Sequence, residues 1–121
     1  SDQRKFWVPC PHCGHHQVLR WNRVTWDAAG TAPRDLRSQL RATTAYTCDQ
    51  CDMRWSDAER WAACEQGEWR ADKPFAGIAG FWISEIYSPW KRLSDLVFDF
   101  LTKKDDPILL QTFVNTSLAE T

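Results

Sequence analysis

The sequence predicts an α+β fold in which short antiparallel strands carry two cysteine-rich turns and helices close the chain. Two C-x-x-C pairs, at residues 10–13 and 48–51, indicate the turns. Apolar residues at helical spacing from Leu93 onward, and again after Pro107, indicate the helices. The length of 121 residues suits one compact domain, and 43% hydrophobic residues suit a globular one.

The first turn is predicted to lie between two strands. Residues 6–10 read as a strand that enters the turn, and residues 17–21 alternate in polarity as a returning strand does. Gly14 follows the second cysteine, where its freedom at positive φ suits a tight knuckle. Strand, turn and strand together are typical of one half of a zinc ribbon.

The second turn is preceded by a loop and a strand. Residues 26–44 form the loop, with a short helix at 34–41, and residues 45–48 lead into the turn. Asp52 stands where the first turn has glycine. Because Asp enters the left-handed region more readily than most residues, we expect the same backbone geometry there.

A helix is predicted from about residue 56 to residue 66. Ser56 and Glu59 fit a capping box at its start, and Gly67 fits a stop at its end. Helical spacing predicts that Trp61 packs inward. The residues predicted to share this face are Ala58, Trp61, Ala62 and Glu65.

A small strand region and two helices are predicted for the rest of the chain. The strands are placed at residues 68–71 and 78–86. Ser94 is the candidate N-cap of the first helix, and Asp106 with Pro107 begins the second. The apolar stripes comprise Leu93, Leu96, Val97, Phe100 and Leu101 in the first helix and Leu110, Phe113, Val114 and Leu118 in the second.

The four cysteines of the two C-x-x-C pairs carry the strongest chemical signal. Each pair places two sulfur atoms on one tight turn, and two facing turns complete a tetrahedron around Zn²⁺. The 34 residues between the pairs add little closure entropy, because that entropy grows only logarithmically with length. Four thiolates fill the coordination shell, so we predict one structural zinc ion in a zinc ribbon. The predicted ligands are Cys10, Cys13, Cys48 and Cys51.

Other interpretations of the cysteines and their neighbours stay open. Iron in the same cage would make a rubredoxin-like electron carrier, because thiolate softness alone does not separate the two metals. The thiols could also be unliganded or form a redox pair. The fifth cysteine, Cys64, is most simply a small buried side chain. His12, His15 and His16 crowd the first turn and could compete as ligands, although exposed polar positions are the simpler reading.

A locally basic stretch follows the first turn. With Trp21 and Trp26 interleaved, its arginines could track a phosphate backbone through salt-dependent contacts. Asp27 and Asp35 offset part of the charge, and a solvated face is the simpler reading. The candidate nucleic-acid contacts are Arg20, Arg23, Arg34, Arg37 and Arg41.

Composition and missing motifs argue against several function classes. The net charge of −1 gives no global basic field, and four zinc-bound thiolates would add about −2. The sequence has no G-x-x-x-x-G-K-[ST] loop and no recognisable Ser/His/Asp arrangement. It also has no signal-peptide pattern and no apolar run near the ~18 residues of a membrane helix. Asp95, Asp99, Asp105 and Asp106 are expected to be solvated rather than to bind Mg²⁺.

Four stretches of the sequence resemble the large terminase subunit of lambda-like phages, the GpA family. They are Val-Pro-Cys-Pro-His-Cys-Gly at 8–14, the second cysteine pair, Tyr-Ser-Pro-Trp at 87–90 and Leu-Gln-Thr-Phe-Val-Asn-Thr at 110–116. The knuckles alone are generic, but the last two stretches in this order are specific. The resemblance runs from about Phe6 to Glu120, and Asp52 departs from the glycine of many such knuckles.

The resemblance implies a parent protein with an N-terminal packaging ATPase and a C-terminal endonuclease that cuts concatemeric genomes. This chain, which starts at Ser1 without Met, is expected to be an excised fragment from between those two activities. The implied partners are the ATPase and nuclease domains, the small terminase subunit, the portal and double-stranded DNA, in the bacterial host cytoplasm and without a membrane. The four cysteines are the functional residues that the resemblance carries over.

We therefore expect a zinc-ribbon portion at 1–71 and a strand and helical portion at 72–121, packed together as a single compact domain. The predicted function is that of a non-catalytic structural module that spaces or couples motor and nuclease, with no enzyme activity of its own. The alternative is a DNA-gripping module that contacts the duplex through Arg and Trp side chains.

Overall fold

Two small antiparallel sheets and four α-helices make up the part of the chain that the computed structural model describes, residues 4–71 and 84–118. The predicted α+β class is confirmed. The first sheet has the order β2-β1-β6 and the second the order β3-β4-β5. The strands are β1 (Arg4–Pro9), β2 (His16–Gln17), β3 (Val24–Thr25), β4 (Ala45–Thr47), β5 (Arg54–Trp55) and β6 (Glu68–Ala71).

The helices lie between and after these strands. They are α1 (Leu36–Thr43), α2 (Asp57–Glu65), α3 (Leu93–Lys103) and α4 (Pro107–Thr116). Short 3₁₀ turns occupy Trp21–Arg23, Pro33–Asp35 and Glu85–Tyr87. Among the described helices, none has both the length and the apolar character that crossing a bilayer demands.

Each C-x-x-C turn follows the central strand of one sheet. In the first sheet Val8 of β1 pairs with Gln17, and Phe6 pairs with Trp69 on the other side. In the second sheet Tyr46 of β4 pairs with both Val24 and Trp55. A central strand is held on both edges, so the residue that leaves its end is well positioned. This arrangement fixes where each cysteine turn begins.

The returning strand predicted at 17–21 is much shorter in the structure. Only His16–Gln17 pairs with β1, because the next backbone N–H groups find side-chain acceptors instead of a strand. The N–H of Leu19 donates to the Tyr87 hydroxyl at 2.8 Å, and the N–H of Arg20 donates to the Tyr46 hydroxyl at 2.8 Å. The backbone of Arg20 is therefore bound to a tyrosine of the second sheet rather than to a strand of the first.

Helix α2 begins as predicted, but its buried face differs. The capping box is present: the Ser56 hydroxyl accepts from the N–H of Glu59, and the Glu59 carboxylate accepts from the N–H of Ser56. The predicted inward face was largely wrong. Trp61 is half-buried, while Arg60 and Ala63 are the buried residues of the helix. The exposed members of the predicted face are Ala58, Ala62 and Glu65.

Gly67 follows α2 and allows a close approach of β1. A Cβ at this position would collide with the ring of Phe6 and would lie 2.9 Å from the carbonyl oxygen of Trp7. The residue is therefore required for space next to the first sheet, in addition to lying just past the helix end.

The fully buried Arg60 explains the orientation of α2. One of its guanidinium nitrogens, Nη1, donates to the carbonyls of Ile86 and Ser88, and Nη2 donates to the carbonyl of Lys91 at 2.8 Å and to Asp57 Oδ1 at 3.2 Å. Burial lowers the pKa of Arg60, and the Asp57 carboxylate opposes this effect. A buried cation needs such partners, and here they tie α2 to residues 86–91.

The C-terminal helices match the predicted spans, with one different cap. Asp106 begins α4 as predicted, its carboxylate accepting from the N–H groups of Ile108 and Leu109. The prediction of Ser94 as the cap of α3 was wrong. Arg92 is the N-cap and Ser94 is buried inside the helix, because an Asp57 carboxylate oxygen from α2 accepts from the N–H of Leu93.

The strand predicted at 78–86 lies mostly outside the described residues, as do Gly77 and Gly80. Its last residues belong to the 3₁₀ turn Glu85–Tyr87, which Ser84 caps by accepting from the N–H of Ile86.

The core joins the parts of the chain on either side of residues 72–83. The Trp21 ring lies 5.8 Å from that of Trp26, and it meets the rings of Phe100 at 5.5 Å and Phe113 at 5.7 Å edge-on, measured between ring centroids. The Tyr87 hydroxyl donates to the carbonyl of Phe6 at 2.9 Å. The N-terminal sheets and the C-terminal helices therefore share aromatic packing and hydrogen bonds.

We expect Arg60→Met to destabilise the protein by about 3–5 kcal/mol, because it leaves three carbonyls and a carboxylate without their buried cationic partner. Urea unfolding measures the loss, and Arg41→Met, at an exposed position of α1, is the control. Equal unfolding free energies for the two variants would contradict the proposed role of Arg60.

Candidate metal centre

The first cysteine turn is closed by its own backbone. The N–H of Cys10 donates to the carbonyl of His15 at 2.9 Å, and the N–H of Gly14 donates to the carbonyl of Cys10 at 2.9 Å. Gly14 has φ +78°, where a residue without Cβ is unstrained. These bonds bring the sulfur atoms at the two ends of the C-x-x-C pair to the same side.

The second turn repeats this geometry. The N–H of Cys48 donates to the carbonyl of Met53 at 3.1 Å, and the N–H of Asp52 donates to the carbonyl of Cys48 at 3.3 Å. Asp52 has φ 58°, so the expected left-handed backbone is found there without glycine. The two turns are local copies of one structure.

The four sulfur atoms of the two turns converge. All lie within 4.8 Å of one another, with 3.8 Å between the Sγ atoms of Cys10 and Cys51 and 3.6 Å between those of Cys13 and Cys48. A disulfide would bring two sulfurs to about 2.05 Å, so these are not bonded pairs. A tetrahedron with metal–sulfur bonds of about 2.3 Å has edges of about 3.8 Å. The four cysteines are therefore positioned to bind a metal ion.

Backbone N–H groups point at the first sulfur of each pair. Cys10 Sγ accepts from the N–H of His12 at 3.3 Å and from that of Cys13 at 3.5 Å. Cys48 Sγ accepts from the N–H of Gln50 at 3.3 Å and from that of Cys51 at 3.4 Å. Such bonds favour the thiolate, which is the form that ligates metals.

The thiols differ in how readily they ionise. Burial opposes ionisation of Cys48, but the N–H groups of Cys51, Gln17 and Gln50 outweigh it and lower the pKa of that thiol to about 6. Cys51 accepts a favourable backbone hydrogen bond from Met53, yet desolvation and the neighbouring thiols raise its pKa to about 12. A cation bound between the four sulfur atoms would favour the thiolate form of all of them.

Two family models divide the chain between them. Residues 1–69 match the phage terminase large subunit gpA, ATPase domain, and residues 78–121 match the terminase large subunit gpA, endonuclease domain. The chain belongs to the gpA family of phage terminase large subunits. The resemblance seen in the cysteine turns and the two C-terminal motifs is confirmed.

Individual members of the gpA family align over nearly the whole chain. The terminase large subunit of Enterobacteria phage P21 is 31% identical over 134 residues, and that of Escherichia phage lambda is 30% identical over 132 residues. Each alignment covers 97% of this chain and 20% of the relative, so the chain spans about a fifth of the length of these relatives. No solved structure matches the chain.

The four cysteines of this gpA-family chain lie in the segment that matches the ATPase model, and the C-terminal helices lie in the segment that matches the endonuclease model. The shared core described above therefore crosses the boundary between the two matches.

The histidines of the first turn are not part of the converging group. His12 Nε2 instead lies 2.8 Å from Glu59 Oε2 on α2. Cys64 is also separate from that group: it lines an apolar groove of about 300 Å³ with Phe6, Trp61 and Tyr87 among its neighbours, and burial raises the pKa of its thiol to about 11. The four-sulfur set is thus made only of the C-x-x-C cysteines.

Gln17 is a site residue that the sequence analysis missed. Its side chain is 2% exposed, and its amide nitrogen donates to the carbonyl of His15 at 3.0 Å and to Cys48 Sγ at 3.4 Å. Its amide oxygen accepts from the N–H of Asp49 at 2.9 Å. The alternating pattern of residues 17–21 offered a signal, because it put a polar side chain on the same face as Leu19.

Arg23, a candidate nucleic-acid contact whose role in that respect stays a prediction, is engaged with the second turn. Its guanidinium donates to the carbonyl of Thr47 at 3.2 Å and to that of Cys48 at 2.6 Å. It also lies 2.6 Å from Asp52 Oδ1 and 3.4 Å from Asp49 Oδ1, and the hydrogen bond to Asp52 raises the pKa of Arg23. The structure gives this residue a role in holding the knuckle.

The other candidate arginines lie elsewhere, and their role stays a prediction. Arg34 and Arg41 are exposed, and the guanidinium of Arg37 lies over the Phe98 ring at 3.8 Å from its centroid. Arg20 is exposed near the first sheet. The tryptophans interleaved with them, Trp21 and Trp26, are half-buried in the aromatic cluster with α3 and α4.

We expect Asp52→Gly to be more stable than Asp52→Ala by about 1 kcal/mol, because alanine is strained at positive φ and glycine is not. Both variants lose the Asp52 carboxylate, so the Arg23 ion pair cancels in the comparison. Unfolding by urea at a fixed metal concentration measures the difference. If alanine equals glycine here, the left-handed geometry does not govern this turn.

Proposed function

We propose that this chain is a non-catalytic structural module of a phage terminase large subunit, stabilised by one Zn²⁺ ion bound to Cys10, Cys13, Cys48 and Cys51. The convergence of four sulfur atoms with near-tetrahedral spacing carries the proposal. Four thiolates leave no open coordination position, so the site would not activate water.

Zinc bound here would neutralise the thiolates and cross-link two turns that are far apart in the sequence. In small metal-stabilised domains the free energy of metal binding becomes free energy of folding, because the unfolded chain has no preformed site. The backbone N–H groups that point at Cys10 and Cys48, together with Gln17, support this role by favouring thiolate sulfur.

The acidic residues support the absence of catalysis in this segment. Asp99 lies 3.3 Å from the amine of Lys103, and Asp105 lies 3.3 Å from that of Lys104. Asp106 caps α4. These carboxylates already have local partners, and the sequence has no phosphate-binding loop.

The module would couple the ATPase and endonuclease parts of the parent protein rather than link them flexibly. Arg60 and Tyr87 support this, because each joins the ATPase-matching segment to the endonuclease-matching segment by hydrogen bonds that are at least partly buried. The parent would package and cut viral double-stranded DNA in the host cytoplasm, with the small terminase subunit and the portal as partners.

The purified chain should contain one zinc ion per molecule, and chelation should lower its melting temperature and abolish the N-terminal fold. Cys48→Ser should reproduce the chelated state, because it removes a ligand, whereas Cys64→Ser should retain the metal. Elemental analysis and thermal melts with and without chelator make the test. A coloured, iron-containing protein with a reversible potential would favour the rubredoxin-like alternative, and a metal-free folded chain would overturn the proposal.

A second candidate function is a DNA grip on α1. The observation that favours it is the exposure of Arg41 on α1 and of Arg34 in the 3₁₀ turn just before it, with side-chain exposure of 89% for Arg34. Arg37 and Arg41 are four residues apart and therefore share one helix face. This face could contact phosphates without base specificity.

If α1 grips DNA, binding of the chain to a short duplex should weaken steeply as salt increases, because phosphate contacts release counterions. Replacing Arg34, Arg37 and Arg41 by Gln should then abolish binding, while Lys104→Gln, whose amine already lies 3.3 Å from Asp105, should leave it unchanged. Fluorescence anisotropy at several salt concentrations gives the measurement. No binding at low salt would remove this function.

A further inference from the structure

We propose that Gln17 is the positioning residue of the metal centre: its side-chain amide fixes the second turn against the first and tunes the charge on the Cys48 sulfur. The inference rests on the proposed metal site and assigns that site a residue that is not a ligand.

The contacts of Gln17 bridge the two turns. The amide nitrogen donates to the carbonyl of His15, within the first turn, and the amide oxygen accepts from the N–H of Asp49, within the second. The same nitrogen donates to Cys48 Sγ at 3.4 Å. The two turns are 34 residues apart in sequence, so one side chain sets their relative position at the sulfur atoms.

Only a primary amide meets all three demands at this position. Two acceptors, the carbonyl and the sulfur, face the nitrogen, and one donor faces the oxygen. A carboxylate of the same length would keep the oxygen contact but would place negative charge beside the thiolate. An apolar side chain would leave the N–H of Asp49 without its present partner, while the carbonyl of His15 would keep only the N–H of Cys10.

The hydrogen bond from Gln17 to Cys48 Sγ differs from the other hydrogen bonds to the cysteine sulfur atoms. The other N–H groups on Cys10 and Cys48 belong to the backbone, whereas this one belongs to a side chain. Four thiolates around a divalent cation carry a net charge of about −2, and hydrogen bonds to sulfur withdraw part of it. Partners of metal ligands typically change metal affinity by about 10–100-fold when they are replaced.

The experiment must distinguish two roles of Gln17: filling space in the core, and donating a hydrogen bond to Cys48 Sγ. The wild-type chain loaded with Co²⁺ reports the difference, because its sulfur-to-cobalt charge-transfer band depends on the electron density of the sulfur atoms. Loss of a hydrogen bond raises the energy of the sulfur lone pairs and moves the band to longer wavelength. A change that only loosens the packing would not shift it.

The test compares Gln17→Glu and Gln17→Met with Gln39→Glu in the 121-residue chain. Gln39 is the matched control, because its amide donates to the carbonyl of Asp27 on α1's neighbouring loop and to no sulfur. We expect both Gln17 variants to shift the band to longer wavelength and to bind Co²⁺ and Zn²⁺ about 10–100-fold more weakly in chelator competition, with Glu the weaker binder. The control should match wild type in both measurements.

The outcomes separate this inference from the metal site itself. If wild type binds no metal, the proposed function fails first. If wild type binds metal and both Gln17 variants keep its band and affinity, the positioning role is wrong while the site stands. If Gln17→Glu does not fold, Gln17→Met decides: a red-shifted band with weaker binding supports the inference, and an unchanged band overturns it.

Discussion

The constraint around which the N-terminal half is arranged is the meeting of four sulfur atoms in a space smaller than 5 Å across. Like-charged thiolates repel at such distances and neutral thiols gain little from one another, so the four cysteines are positioned to bind a cation. The two sheets position the four cysteines. Each central strand runs into one turn, and the backbone hydrogen bonds of the turns aim N–H groups at sulfur. Arg23 and Gln17 then hold the second turn from both sides.

A second anchor is the buried guanidinium of Arg60 on α2. Arg60 is a buried cation surrounded by carbonyl oxygens and one carboxylate, and removing any of these partners would leave charge or dipoles unpaired. The Tyr87 hydroxyl adds a bond between β1 and the segment after residue 84. The two features act at different junctions: the four cysteines meet where the two N-terminal turns converge, and Arg60 ties α2 to residues 86–91.

The features that depend on local sequence were predictable. The knuckles, the left-handed Asp52, the capping box at Ser56 and the start of α4 at Asp106 each follow from a few adjacent residues. Features decided by distant partners were not. Helical spacing could not show that α2 would bury a charged arginine, since the carbonyls that accept from it lie after residue 85. The shortened return strand has the same cause, because tyrosine hydroxyls from other elements take its N–H groups.

The core that crosses the boundary between the ATPase and endonuclease matches bears on how such genes can recombine. A crossover between residues 71 and 84 would join the Arg60 of one phage to the carbonyl-bearing segment of another, and would set a foreign tyrosine against the backbone of β1. Chimaeras made at that point inherit two halves of one core that were never selected together. Exchange between related genes of the gpA family should therefore favour breakpoints outside this region, so that the entire junction travels as a single cassette.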